Sequence, residues 1–183
     1  MTRKLFVVLM GLVLALSTVF ATGSQEQTSS NGPKEYKDEV IIGVQTKTSS
    51  VDPTAQTSIA HRIVYNLTHN CLIGYDEKTV EIIPELAETW TMSEDMKTWT
   101  FNLRKDVTFH NGEKFTADDV LFTWEYCKES ASNATVKNFW KSIEAVNVID
   151  DYTVALVLKE GNIDLLYLLS NEYLAIINRE AVT

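Results

Sequence analysis

Residues 83–126 constrain the fold of this chain more than any other stretch, because strand, turn and helix signals follow one another there with almost no loop between them. Trp99, Phe101 and Leu103 alternate with Thr98, Thr100, Asn102 and Arg104, the period-two pattern of a half-buried strand. Val107 and Phe109 repeat the alternation, and Asn111-Gly112 supplies the positive-φ residues that a tight reversal needs. Thr116 and Asp119 then stand at capping-box spacing, with Asp in place of Glu. They open a helix whose apolar stripe is Val120, Leu121, Trp124 and Cys127.

The same residues carry a family resemblance. Pro84, Glu85-Leu86-Ala87-Glu88, Trp90, Lys97-Thr98-Trp99-Thr100-Phe101 and Leu103-Arg104 stand in order, followed by Phe109-His110-Asn111-Gly112, Phe115-Thr116-Ala117-Asp118-Asp119-Val120 and Thr123-Trp124. At these spacings the chain resembles the bacterial extracellular solute-binding proteins of family 5, the oligopeptide, dipeptide and nickel type. One departure stands out: the family has Gly after the acid of the turn, where this chain has Met96. The resemblance implies a mixed α/β, periplasmic-binding-protein-like fold of type II. It also implies that the chain is an N-terminal piece of it, since family members are two to three times longer.

The N-terminus reads as an export signal. Arg3 and Lys4 precede an apolar run, and Val19-Phe20-Ala21 ends on a small residue suited to cleavage, so residues 1–21 are expected to be removed. The run is shorter than the roughly 20 apolar residues of a membrane span. Many relatives carry Cys just after this region and become lipoproteins; Thr22 stands here instead, so no diacylglycerol anchor is expected at that position. The expected location is the periplasm or the cell surface. Without Arg3 and Lys4 the net charge falls from −9 to −11, which argues against a phosphate-backbone partner and for solubility.

Residues 22–39, rich in Ser, Gln, Glu and Lys with Gly32-Pro33, read as a flexible linker. Residues 40–45 suit a buried strand, and Val51-Asp52-Pro53 resembles the family's (Leu/Val)-Asp-Pro after its first strand. Ile59, Ile63, Val64, Leu67 and Cys71 recur at helical spacing, with Gly74 as the expected stop. Residues 75–83 read as a hairpin about 76–79, and residues 84–90 as a turn of helix. Residues 128–137 read as loop, and Phe139, Trp140 and Ile143 as a short amphipathic segment. A second hairpin is expected over 146–158, a helix over 162–169 and a buried strand over 174–177. By resemblance the organisation is signal (1–21), linker (22–39), first strand of the large lobe with the cleft segment (40–50), small α/β domain (51–159) and return into the large lobe (160–183). The large-lobe pieces, 40–45 and 174–177, are expected to pack poorly without their partners.

Catalytic signals are absent. There is no Gly-x-Ser-x-Gly, no His-Glu-x-x-His and no glycine-rich phosphate loop. Asp118-Asp119 has the look of a carboxylate pair but fits a helix N-terminus better, where negative charge meets the positive end of the dipole. His61 and His69 stand eight apart, about 80° of rotation on a helix, so they do not converge on one ion and are expected on a solvated face. His110 belongs to the turn motif. No metal site and no cofactor are expected. Cys71 and Cys127 are expected as two buried thiols rather than a disulfide.

Binding is the better-supported class. A polar stretch leaving a buried strand at a crossover is where α/β folds place ligands, and Thr46, Lys47, Thr48, Ser49 and Ser50 stand there. The resemblance points to the same segment as part of the cleft. Phe122 and Trp124 are weaker candidates for a cleft wall, while Asn111, Gly112, Thr116 and Asp119 are structural. The resulting expectation is a substrate-binding component of an ATP-binding-cassette importer. It would be a monomer that binds short peptides and delivers them to permease subunits in the inner membrane, with no nucleic-acid partner. Three alternatives stay open: nickel, haem, oligosaccharide or opine as cargo; a secreted hydrolase with an Asp/Glu pair; and a truncated product without transport function.

Overall fold

The computed structural model describes residues 41, 43, 51–55 and 58–182. The signal, the linker and Thr46 to Ser50 lie outside the described residues, as does the expected strand 40–45 apart from Ile41 and Gly43. The chain divides into two units, Met1–Ile42 and Gly43–Thr183.

The elements of the second unit are α1 (Ile59–Thr68), the hairpin of β1 (Ile73–Asp76) and β2 (Glu81–Pro84), then β3 (Ala87–Met92), β4 (Thr98–Leu103), α2 (Ala117–Ser130), α3 (Ala134–Ser142), β5 (Ile143–Asp150) and β6 (Thr153–Leu158). A short α4 (Leu165–Leu169), a 3-10 turn (Glu172–Leu174) and α5 (Arg179–Val182) complete it. Four strands form an antiparallel sheet in the order β3-β4-β6-β5, with Trp99 opposite Leu156 and Phe101 opposite Val154. The alternation on β4 holds as the sequence predicts: Trp99, Phe101 and Leu103 are all buried. Helices α2 and α3 pack against each other and on β5, sinking Val120, Cys127, Val136 and Trp140 into the same core.

The Asn-Gly reversal forms, but only Gly112 carries a positive φ, +90°. Gly112 N–H donates to Phe109 O at 2.9 Å and Phe109 N–H to Glu113 O at 2.8 Å, the pattern of a type I turn closed by a left-handed glycine. The turn into β4 is built alike, with Met96 at φ 57° in the left-handed seat and its N–H donating to Ser93 O. Met96 therefore takes the left-handed conformation that glycine adopts most readily. The capping box at Thr116 and Asp119 forms as well: the Asp119 carboxylate accepts from Thr116 N–H at 2.8 Å.

Several expectations are corrected. Residues 84–90 are not helical; Ala87–Met92 is a strand, because it pairs with β4 (Trp90 opposite Phe101) and its start is tied to residues 71 and 72. Helix α1 stops at Thr68, with His69 N–H on Tyr65 O, so Cys71 lies beyond it and Gly74 sits in β1 opposite Ile83. Its buried face is Ala60, His61 and Tyr65, while Ile59 and Leu67 are exposed. His61 is accordingly not a solvated residue; it is buried with Nδ1 2.6 Å from Ser58 Oγ. Residues 128–137 are mostly helical, since α2 runs on to Ser130 and α3 starts at Ala134, capped by the Asn133 side chain. The helix expected over 162–169 shrinks to α4. Residues 174–177 are not a strand, yet all four are buried, so they are not poorly packed either. Ile176 N–H donates to Asn70 O, and Ile177 N–H to the Thr123 hydroxyl at 3.1 Å, so a side chain and a corner replace a neighbouring strand. Both cysteines are free and buried, as expected.

Candidate ligand site

A cavity of about 530 Å³ opens where α1, the Asn-Gly turn and the C-terminal segment meet. Five short pieces of chain line it: residues 51–53, 66–70, 107–111 and 176–178, and the end of α5, with Leu86 and Phe115 between them. This size falls inside the range of small-molecule sites, roughly 300–1,000 Å³.

Each wall has an identifiable fastening. Tyr65, fully buried, donates its hydroxyl to Asp52 O at 2.7 Å and so holds residues 51–53 against α1. Burial, and then the neighbouring Asp52 carboxylate, push that hydroxyl up to about 12. Asp52 Oδ1 in turn accepts from both the N–H and the hydroxyl of Thr54. At the end of α1, His110 Nε2 lies 2.9 Å from Thr68 O. A carbonyl only accepts, so Nε2 carries the hydrogen, and the turn is tied to a helix carbonyl that has no partner within the helix. His69 Nδ1 sits 2.8 Å from Thr68 Oγ1. Burial lowers the His69 pKa below the ordinary histidine value, and the adjacent His110 lowers it further.

The corner at residues 70–71 is fixed by Glu85, whose carboxylate accepts from Asn70 Nδ2 at 2.6 Å and from Cys71 N–H at 3.1 Å. Burial raises the Glu85 carboxyl above its usual range, although both hydrogen bonds oppose the shift. On the far side Asn178, also buried, donates to Glu113 Oε2 at 2.8 Å. Its own side-chain oxygen accepts from Asn111 Nδ2 and from the first free amides of α5. The bond from Asn178, with a second from Asn111 Nδ2, holds the Glu113 carboxyl below its ordinary range.

The cavity gathers Asn111 from the turn motif, but in a role that its turn signal did not announce. Gly112, Thr116 and Asp119 do not line it; Gly112 takes the left-handed seat of the turn, and Thr116 and Asp119 form the cap of α2. Phe122 and Trp124 do not line it. Phe122 is buried beneath the Arg179 guanidinium at 4.5 Å, and Trp124 donates its Nε1 to Trp140 O with Lys128 Nζ 3.7 Å over its ring. The segment Thr46 to Ser50 lies outside the described residues, although Val51, the next residue, lines the cavity. Asn70 and Asn178 went unnoticed in the sequence because lone asparagines carry no spacing signal. Among the described residues no three His, Cys, Asp or Glu side chains are grouped to hold a metal, and no helix is long and apolar enough to cross a membrane.

The sequence pattern of the bacterial extracellular solute-binding proteins, family 5 Middle, matches residues 81–181, more than half of the chain. The chain belongs to this family. It is 33% identical over 129 residues to the dipeptide-binding protein of Escherichia coli K12, a match that covers 61% of this chain and 24% of that one. Among solved structures it is similar to the binding protein AgaA of A. tumefaciens R10 in complex with agropinic acid, with a TM-score of 0.68 and 29% identity over 74% of this chain and 27% of that one. It is also similar to NikZ of Campylobacter jejuni in complex with Ni(L-His), with a TM-score of 0.65 and 28% identity over 75% and 27%. The chain thus spans about a quarter of the length of these relatives, and its mixed α/β fold is part of a type II periplasmic binding protein. The family is one of binding proteins that work in the periplasm or outside the cell, not of enzymes.

Proposed function

We propose that this chain supplies part of the substrate-binding component of an ATP-binding-cassette importer for short peptides. In this reading it is exported and hands its cargo to permease subunits in the inner membrane. The observation that carries the proposal is the cavity between α1, the Asn-Gly turn and residues 176–178, together with membership of a family whose similar members include a dipeptide-binding protein. Its walls are fastened by hydrogen bonds between distant pieces of chain, which suits a preformed binding surface rather than a flexible one. The Asp118-Asp119 pair offers no competing catalytic site, since the Asp119 carboxylate is engaged by Thr116 at the start of α2.

Isothermal titration calorimetry of the chain with di- and tripeptides, Ni(L-His), haem and an opine tests the proposal. Saturable heat with the peptides is expected. Saturable heat with one of the other three, and none with peptides, would overturn it.

A further inference from the structure

Resting on that peptide reading, we infer that the cavity accepts an uncharged, apolar side chain of the ligand and turns away its charged termini and charged side chains. The floor is made of Leu86, Phe115, Ile176 and Ile177, all buried, and Val107 and Phe109 stand beside them half-buried. Among the described lining residues Asp52 is the single carboxylate, and no lysine or arginine takes part.

The carboxamides of the rim look at first like anchors for a peptide carboxylate, but apart from that of exposed Asn66 each already donates within the protein. Asn70 Nδ2 donates to Glu85, Asn111 Nδ2 to Glu113 and Asn178, and Asn178 Nδ2 to Glu113. The carbonyl of Thr68 is taken by His110, and Asp52 Oδ1 by Thr54. An anion moved into this space leaves water and meets no lysine or arginine among the described lining residues, and a cation meets only Asp52, whose Oδ1 is already taken by Thr54, so either charge is costly there. An aliphatic or aromatic side chain meets the apolar floor and a rim on which Asn70, Asn111 and Asn178 are already hydrogen-bonded within the protein. The remaining polar contacts, which would hold the peptide backbone and its termini, fall outside this cavity.

The test uses the 183-residue chain and the peptides Ala-Phe-Ala, Ala-Glu-Ala and Ala-Lys-Ala, with N-acetylphenylalaninamide as a probe that has no charged terminus. Ala-Phe-Ala is expected to bind more tightly than either charged peptide, by on the order of a hundredfold. Leu67 and Val51 line the mouth and are exposed, so Leu67→Asp and Val51→Asp disturb no core packing. Each is expected to weaken Ala-Phe-Ala about tenfold and to leave the thermal melt unchanged. Equal affinity for the three peptides, or no response of Ala-Phe-Ala to Leu67→Asp, overturns the inference while leaving peptide binding intact. If no peptide binds, the peptide reading falls. The apolar selectivity then stands only if N-acetylphenylalaninamide saturates the chain and Leu67→Asp abolishes it, and falls if it does not.

Discussion

Among the described residues, two hold the left-handed backbone conformation without being glycine: Met96 at φ 57° and Val80 at φ 61°. Each sits in a hairpin turn. Asp76 supports the turn at Val80, accepting from the N–H groups of Lys78 and Thr79 with its side chain and from Val80 N–H with its carbonyl. The turn at Met96 is pressed from outside as well, because a Cβ on Gly161 would lie 2.6 Å from Asp95 O, so the chain can pass there only as glycine. An L-residue in this conformation costs roughly 1–2 kcal/mol, part of which glycine recovers. Replacing Met96 by Gly is therefore expected to raise the unfolding free energy by about 1 kcal/mol, measured as a higher urea midpoint at unchanged slope. A lower midpoint would show that the half-exposed Met96 side chain contributes more than its backbone costs.

A second prediction at this scale concerns His69. Its pKa is lowered in the folded chain, by burial first and then by His110, with Asp52 acting in the opposite direction. The unfolded chain therefore binds its proton first as pH falls through about 6.5, and folding loses stability from there down to the lowered value. Stability is expected to decline on going from pH 7 to pH 5, and His69→Gln to remove part of that slope. The same slope in the variant would remove His69 from the account.

Elements were legible where the pattern was local and failed where distant partners decided. β4, the Asn-Gly reversal and the cap of α2 were readable because alternation, Asn-Gly and Thr116 with Asp119 act within a few residues. Thr116→Ala is expected to cost about 1 kcal/mol by denaturant titration without changing peptide affinity, since the cap lies outside the cavity. A loss of affinity at full stability would contradict the separation of cap from site. In α1 the apolar stripe pointed to the wrong face. Tyr65 is buried because its hydroxyl reaches Asp52 O and its ring meets Tyr173 edge-on, while His61 is held by Ser58. The two contacts of Tyr65 reach beyond any helical period, and Leu67 is left at the cavity mouth. Residues 84–90 misled for a related reason: Glu85-Leu86-Ala87-Glu88 are good helix formers, and pairing with β4 overrode their propensity.

At the scale of the whole molecule, residues 83–126 carry the family pattern because they build two of the sheet's four strands and most of α2, and they contribute only part of the candidate site. The cavity joins segments more than a hundred residues apart, from Asp52 to Asn178, and no spacing rule links them. Asn178 carries no sequence signal of its own, and its place between Asn111, Glu113 and the start of α5 emerges only in three dimensions. The central claim is that this assembled cavity is where a peptide meets the chain. Amide chemical shifts of the isotope-labelled chain, followed while Ala-Phe-Ala is added, test it most directly. The account predicts saturable shifts concentrated at residues 66–70, 107–111 and 176–178. Shifts centred on the β1–β2 hairpin or on α3, or no shifts at all at saturating peptide, would contradict it.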